Sequence, residues 1–343
     1  MTYFLIEDSL GGAEQLVMRL AEFDKLNSKI CFFKKQSTDI WIKQGFNVVY
    51  CDGNFLNFFS FCRNNNFNMV FSSHLMMNSI LGLLRNLRII KTEKLICRES
   101  TIIFDRYKGL KLLKYKIAYF IGYRKIDLLI TQTDEMRSKL IIEIPFLNKL
   151  NIRTIPNLFE FPKHQIFALK STEPYIVSAG RFIEEKGFDI LFEAFKKVKN
   201  YKPKLKLIVL GEGNLRSSYE NQISYLGLNN DVLLPGFVDD VYPYFKGAEL
   251  CVVSSRIEGF PNVLLQMMSQ NDKVVSTLCA GGIEKIPGIF KAPAKDVDAL
   301  TKVILEGLEN DTKNNRIIFD KLLSERSIEN FIETIDKYLS IDN

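Results

Sequence analysis

"SSRIEGFPNVLLQMMS", residues 254–269, follows the largely apolar run Ala248–Val253. The run ends at Ser254-Ser255, and apolar residues resume at Val263-Leu264-Leu265 and Met267-Met268. That spacing reads as a strand, a loop and a helix. Between them lies a lone carboxylate, Glu258, followed at once by Gly259-Phe260-Pro261-Asn262. Pro261 and Asn262 read as a helix start with Asn262 as the cap, which leaves the N–H groups of Gly259, Phe260 and the first turn open to a ligand. Gln266, among apolar neighbours, falls one turn into the helix and offers both a donor and an acceptor.

Working outward, the same unit recurs. "YIVSAG" (175–180) precedes the amphipathic "FDILFEAFKKVKN", and "LKLIVLG" (205–211) precedes "NLRSSYENQISYLG". "VLLPG", "KVVST" and a helix from about Asp296 complete the second half. Buried-type strands alternating with helices predict a parallel α/β sheet. The first half repeats the theme through "YFLIE", "KICFFKK", "FNVVYCD", "MVFSSH", "KLICRES" and "IDLLITQ". "IRTIPNLFEFP" (152–162), with two prolines, reads as the linker, which predicts domains over 1–162 and 163–326 and a short amphipathic helix at the end.

Bulk properties agree with two domains. A chain of 343 residues with 47% hydrophobic content is long for one core. No apolar run reaches the roughly 18 residues that span a bilayer. No charged stretch followed by a hydrophobic run opens the chain, so a secretory leader is not expected. The six scattered cysteines form no C-x-x-C pair and suit reduced, buried thiols. Charge is uneven: residues 1–172 carry 25 Lys and Arg against 15 Asp and Glu, whereas acids outnumber bases in the remainder.

Ligands of open parallel sheets bind at the carboxyl ends of the strands, and the chemistry-bearing residues fall there. In "GRFIEEKGF", Arg181 follows a strand and Lys186 precedes a helix; a guanidinium fork and an ammonium beside a helix start suit a diphosphate. Two solvated surface charges explain the same residues equally well. Glu258 can accept hydrogen bonds from sugar hydroxyls, or merely assist the helix dipole. Diglycines Gly11-Gly12 and Gly281-Gly282 occupy equivalent turns, and each alone is an ordinary βα turn. His74 ends "MVFSSH" and is either a hydroxyl partner or a structural histidine. "FVDD" and "DVDAL" read as helix caps, so no metal is expected. Arg216 occupies the third glycine's place in "GEGNLR", which argues against a nicotinamide site.

Taken together, "SAGRFIEEKGFDILFEAF", "LIVLGEGNLRSSYENQISYLGLNNDVLLPGFVDDVYPYF" and "ELCVVSSRIEGFPNVLLQMMS", with "GGAEQLVMRLA", "FSSH" and "IRTIPN", resemble the retaining family-4 (group 1) glycosyltransferases. The resemblance implies the GT-B architecture, two Rossmann-like domains facing across a cleft, with the terminal helix (327–343) packing back onto the first. It implies that Arg181 and Lys186 neutralise the donor diphosphate and that Glu258 is the first glutamate of an E-x7-E motif near the transferring sugar. The Gly259–Asn262 backbone and Val263 would contact that sugar, Gly236, Phe237 and Val238 would line the base pocket, and Gly12 and His74 would close on the donor. The second glutamate is replaced by Gln266, whose bond to a ribose hydroxyl is weaker than a carboxylate's. The usual A-x-G-x-P-V-V stretch reads "SQNDKVVST".

The implied activity is metal-independent transfer of a hexose or N-acetylhexosamine from a UDP-linked donor to a lipid-linked glycan in bacterial surface polysaccharide assembly, with no cofactor. A nucleotide-sugar epimerase or hydrolase of the same architecture and a non-catalytic sugar-nucleotide-binding protein are the alternatives. The implied location is the cytoplasm, at the inner face of the membrane. Residues 85–125 hold 12 basic against 3 acidic residues. Within them "RYKGLKLLKYKIAYFIGYRK" (106–125) reads either as a segment resting on anionic lipid or as a core helix with a solvated basic face. No recognition motif points to nucleic acid.

Overall fold

The computed structural model describes residues 1–9, 11–36, 39–312 and 314–340. The chain divides into two compact units, Met1–Leu158 with Ile328–Asn343, and Phe159–Ser327.

Unit 1 carries a seven-stranded, wholly parallel sheet in the order β3-β2-β1-β4-β5-β6-β7. Its strands are β1 (Thr2–Glu7), β2 (Lys29–Lys34), β3 (Asn47–Tyr50), β4 (Asn66–Ser72), β5 (Lys91–Arg98), β6 (Leu128–Thr131) and β7 (Ile152–Thr154). Parallel neighbours require crossovers. These run through α1 (Gly12–Phe23), α2 (Ile40–Lys43), α3 (Phe55–Asn64), α4 (Leu75–Asn86), α5 (Ile103–Arg106), α6 (Gly109–Gly122) and α7 (Asp134–Glu143). The helices cover both faces, so the central strands are apolar on both sides: Leu128, Leu129 and Ile130 are all fully buried.

The stretch expected to be a linker begins instead as an edge strand. Ile152, Arg153 and Thr154 pair with Leu129, Ile130 and Thr131, and only the residues beyond them leave the sheet. A three-residue edge strand needs just one anchored side chain, and Ile152 is buried.

Unit 2 repeats the design in six parallel strands, order β10-β9-β8-β11-β12-β13. They are β8 (Tyr175–Ala179), β9 (Lys206–Leu210), β10 (Val232–Gly236), β11 (Leu250–Val253), β12 (Val274–Thr277) and β13 (Phe290–Ala292). The helices are α8 (Phe188–Lys199), α9 (Arg216–Tyr225), α10 (Tyr242–Gly247), α11 (Asn262–Met268), α12 (Val297–Glu309) and α13 (Asn315–Ser324). Asp296 caps α12 by accepting the Ala299 N–H at 2.9 Å, and Asp240 accepts the Tyr242 N–H at 2.9 Å at the start of α10. Each sheet thus has the Rossmann order, with its strand sequence reversing between β1 and β4 and between β8 and β11.

The last helix, α14 (Ile328–Ser340), belongs to unit 1. Ile328, Phe331, Ile335 and Leu339 enter a core that contains Val17, Leu20, Ile155 and Leu158. Asn151 donates to the Tyr338 carbonyl at 2.9 Å. No helix among the described residues is long and apolar enough to cross a membrane.

Candidate functional site

The strand reversal in unit 2 places two loops side by side. One follows β8 and carries Arg181 and Lys186; the other follows β11 and carries Glu258. Lys186 Nζ donates to Glu258 Oε1 at 2.7 Å, although 72 residues separate them. Their side chains are only 19% and 16% exposed, so the pair is shielded without being sealed. The Lys186 stem lies across Gly180, where an added Cβ would come within 3.2 Å of it. Ser255 Oγ also donates to Glu258 Oε1, at 2.7 Å, and the Glu258 N–H donates to the Cys279 carbonyl at 2.8 Å.

Backbone and side-chain staples hold the two loops together. Ser254 Oγ donates to the Lys186 carbonyl at 3.0 Å, and the Arg256 N–H to the Glu185 carbonyl at 2.7 Å. The Arg256 guanidinium grips both oxygens of Asp189, at the start of α8, and donates to the Glu184 carbonyl at 2.8 Å. That grip holds the Arg256 pKa above its ordinary value. Gly187 (φ +63) closes the turn in the left-handed region, and a Cβ there would stand 2.3 Å from the Ser254 carbonyl oxygen.

An inventory of free valences shows what the site can bind. Lys186 has three donors and spends one on Glu258; Glu258 Oε2 makes no hydrogen bond among the described residues. Arg181 is exposed on the same loop, its guanidinium without a partner among the described residues. Gln266 is half-buried one turn into α11, and its side-chain amide is also unpaired among the described residues. Lys186 and Glu258 thus leave two ammonium donors and one carboxylate oxygen open where the loops meet, with Arg181 on the same loop and Gln266 one turn into α11, a set of groups able to take an anion together with hydroxyl groups. Cys279 is no nucleophile: burial, then the nearby Glu258 charge, pushes its thiol up to about 12.

Other expected residues fall as follows. Pro261, not Asn262, takes the cap position of α11, and no side chain caps the helix. Proline's fixed φ suits the extended entry, and Asn262, one residue later, is already helical. Gly236 ends β10, Phe237 is 69% exposed and Val238 packs at the edge of the core. Arg216 grips Glu212 and donates to the Leu234 carbonyl at 3.0 Å, tying the loop after β9 to β10. Gly281-Gly282 leads into a single 3-10 turn, Ile283–Lys285, rather than into a helix, so no α-helical N-terminus stands there.

In unit 1, Gly12 begins α1 and His74 sits at the cap position of α4, at the carboxyl ends of β1 and β4. Leu10, inside the quoted "SLGGAEQLVMRL", lies outside the described residues. His74 Nδ1 is buried and has no hydrogen-bond partner among the described residues. Burial holds the imidazole below its ordinary pKa, with Glu7 pulling weakly the other way, so the ring is neutral near pH 7.

Beside it lies a network not anticipated from sequence. Arg98 is buried, donating to Ser73 Oγ at 3.0 Å and to Asn157 Oδ1 at 2.5 Å, and its Nε is unpaired among the described residues. Glu99, also buried, accepts from Tyr119 at 2.9 Å and Tyr123 at 2.5 Å. Burial raises the Glu99 pKa and lowers that of Arg98 to about 10. The one hint was two adjacent charges ending the apolar run "KLIC".

Known proteins bear on this geometry. The family model for glycosyl transferases group 1 matches residues 160–320, a stretch that holds Arg181, Lys186, Glu258 and Gln266. Residues 160–320 are thus similar to the group 1 glycosyltransferases. The matched stretch lies within unit 2 and contains both stapled loops. An uncharacterized glycosyltransferase of Methanocaldococcus jannaschii is 34% identical over 191 residues, covering 52% of this chain and 46% of that protein. An N-acetylgalactosamine-N,N'-diacetylbacillosaminyl-diphospho-undecaprenol 4-alpha-N-acetylgalactosaminyltransferase of Campylobacter jejuni is 34% identical over 116 residues, 34% of this chain and 31% of that one. The chain thus aligns with half or less of the length of these relatives. The likeness in fold runs along the chain: the structure of Anabaena Alr3699/HepE with UDP-glucose superposes with a TM-score of 0.84 at 16% identity, covering 99% of this chain and 98% of that one.

Proposed function

We propose that this protein is a retaining, metal-independent glycosyltransferase that moves a hexose or N-acetylhexosamine from a UDP-linked donor to a lipid-linked glycan in bacterial surface polysaccharide assembly. One observation carries the reading. Two loops at the strand reversal of unit 2 are stapled so that Lys186 meets Glu258 at 2.7 Å, with Arg181 on the same loop as Lys186 and without a partner among the described residues. Cations on one side and a hydroxyl acceptor on the other match the two ends of a nucleotide-sugar bond.

In this mechanism the bond from the anomeric carbon to the diphosphate breaks as the acceptor oxygen bonds on the same face. The electron pair departs with the diphosphate, where Arg181 and the two spare donors of Lys186 meet the growing charge. The acceptor's proton passes to a donor phosphate oxygen. Glu258 Oε2 and the Gly259–Val263 backbone orient the sugar, Gln266 holds the ribose, and Gly236–Val238 border the base. No cofactor takes part. Support for the donor comes from the UDP-glucose complex that shares this fold, and for a lipid-diphosphate acceptor from the C. jejuni relative's substrate. Such an acceptor places the protein at the cytoplasmic face of a membrane.

Incubation with UDP- and GDP-sugars, with and without undecaprenyl-diphosphate-linked acceptors, tests the proposal. Transfer only in the presence of acceptor is expected. Sugar release at the same rate without acceptor would make the protein a hydrolase, and donor binding with neither outcome would make it a binding protein.

A further inference from the structure

The basic segment of unit 1, which the sequence allows either to rest on anionic lipid or to form a core helix with a solvated basic face, carries an exposed apolar face. Helix α6 is apolar on both sides. Its inner side is fixed against α4: a Cβ on Gly82 would lie 1.7 Å from the Gly122 carbonyl oxygen, and Ser79 Oγ donates to the Ala118 carbonyl at 2.7 Å. Ala118, Tyr119 and Gly122 are buried there. Backbone contact this close fixes the rotation of the helix, so its outer face is determined. That face bears Leu110 (86% exposed), Leu113 (53%), Ile117 (49%), Phe120 (58%) and Ile121 (43%). Their spacing is one stripe of a helix. Soluble helices turn such a stripe inward; here the stripe faces out while the inner side is also packed.

Cations border the stripe. Lys108 precedes it, Lys111 and Lys114 flank it, and Arg124 and Lys125 follow it. Among the described residues none of these five forms an ion pair. Of the segment's three acids, Glu99 is buried against tyrosines and Asp105 is held by Lys139, which leaves exposed Glu93, in β5, as the remaining negative charge. Arg124 lies 4.5 Å from the Phe120 ring centroid, and with Arg88 and Lys125 it lines an open hollow at the helix's end.

We propose that α6 lies in the surface of an anionic bilayer, its Leu110–Ile121 stripe sunk among the acyl chains near the headgroups, with Lys111, Lys114, Arg124 and Lys125 meeting lipid phosphates. Long basic side chains can keep their stems on the apolar stripe and their charges at the headgroups. Charge selects this occupant over a second copy of the chain, because a two-fold contact through this stripe would set the lysines of one copy against those of the other. The inference deepens the membrane-side part of the proposed function but uses no donor or transfer chemistry.

Co-sedimentation with vesicles tests it, comparing equal parts phosphatidylglycerol and phosphatidylcholine with phosphatidylcholine alone. The protein should bind the anionic vesicles and be released by salt. Lys111→Gln with Lys114→Gln should weaken binding about 25-fold, about fivefold for each lysine. The triple variant Leu110→Gln, Leu113→Gln, Ile117→Gln should lose at least about tenfold, because its side chains no longer gain from leaving water. All three apolar positions face solvent, so far-UV circular dichroism and UDP binding should match the unaltered protein. The proposal is overturned by equal binding of the triple variant, which would leave charge alone as the cause. It is overturned equally by no binding to anionic vesicles, or by a lipid-free dimer that the triple variant abolishes. Failure to bind UDP in every version would instead defeat the reading of unit 2 and leave this one standing.

Discussion

Replacing Arg256 with alanine removes the clamp between the two loops without touching Lys186 or Glu258. The guanidinium makes a two-pronged ion pair with Asp189 and a third bond to the Glu184 carbonyl at 2.8 Å. Hydrogen bonds to charged groups contribute about 1.5–3 kcal/mol each when shielded, and exposed ion pairs about 0.2–1 kcal/mol. With side chains 18% and 36% exposed, the cluster lies between those limits. Water can also reach the abandoned carbonyl. A total near 2 kcal/mol follows, which for a unit of this size lowers the melting temperature by about 4–8 °C. Differential scanning calorimetry measures that shift, and isothermal titration with UDP reads the looser loops as weaker binding. Arg256→Lys restores a charge but not the planar fork, so it should recover less than half the loss. Should Arg256→Ala melt and bind UDP like the unaltered protein, the staple is ornamental. Full recovery in the lysine variant would mean that a point charge suffices.

Three further outcomes are expected. Arg181→Ala should reduce transfer by about two orders of magnitude in steady-state assays while leaving the melting temperature unchanged, because its side chain has no partner among the described residues. Gln266→Glu should tighten donor binding about fivefold, the gain of one charge-assisted bond over a neutral one, as read by titration with the UDP-sugar. His74 carries a depressed pKa in the folded state, so the unfolded chain takes up its proton first. Its contribution is therefore intact above the ordinary imidazole value of 6.5 and is lost as pH falls below it. Thermal melts on either side of that pH should differ less in His74→Gln than in the unaltered protein; identical pH dependence would contradict the burial argument.

Much of the architecture is legible because strands buried on both faces give dense β-branched runs, as in "YIVSAG" and "ELCVVSS", and helices between them give amphipathic spacing. What escapes is whatever depends on a partner far along the chain. Ile152–Thr154 reads as linker because two prolines follow it, yet β6 supplies the hydrogen bonds that make it a strand. Arg98 and Glu99 look like surface charges until Tyr119 and Tyr123, some twenty residues later, bring hydroxyls to the carboxylate. Arg181, Lys186 and Glu258 can be picked out by residue type and loop position. Their association cannot, because β8 and β11 are neighbours in the sheet but are not consecutive in the chain. Helix α6 is the plainest case. Apolar residues lie all round it, and only the Gly82–Gly122 contact decides which side faces out.

The position of α14 bears on how the polypeptide matures. The second unit is inserted between Leu158 and Ile328, so the first unit is assembled from two separate stretches of the chain. During synthesis its first seven strands emerge long before the helix that covers Val17, Leu20, Ile155 and Leu158. That apolar patch must wait, uncovered, until α14 has left the ribosome. A truncation ahead of Ile328 would make the wait permanent, and the expected product is an aggregate rather than a smaller folded protein.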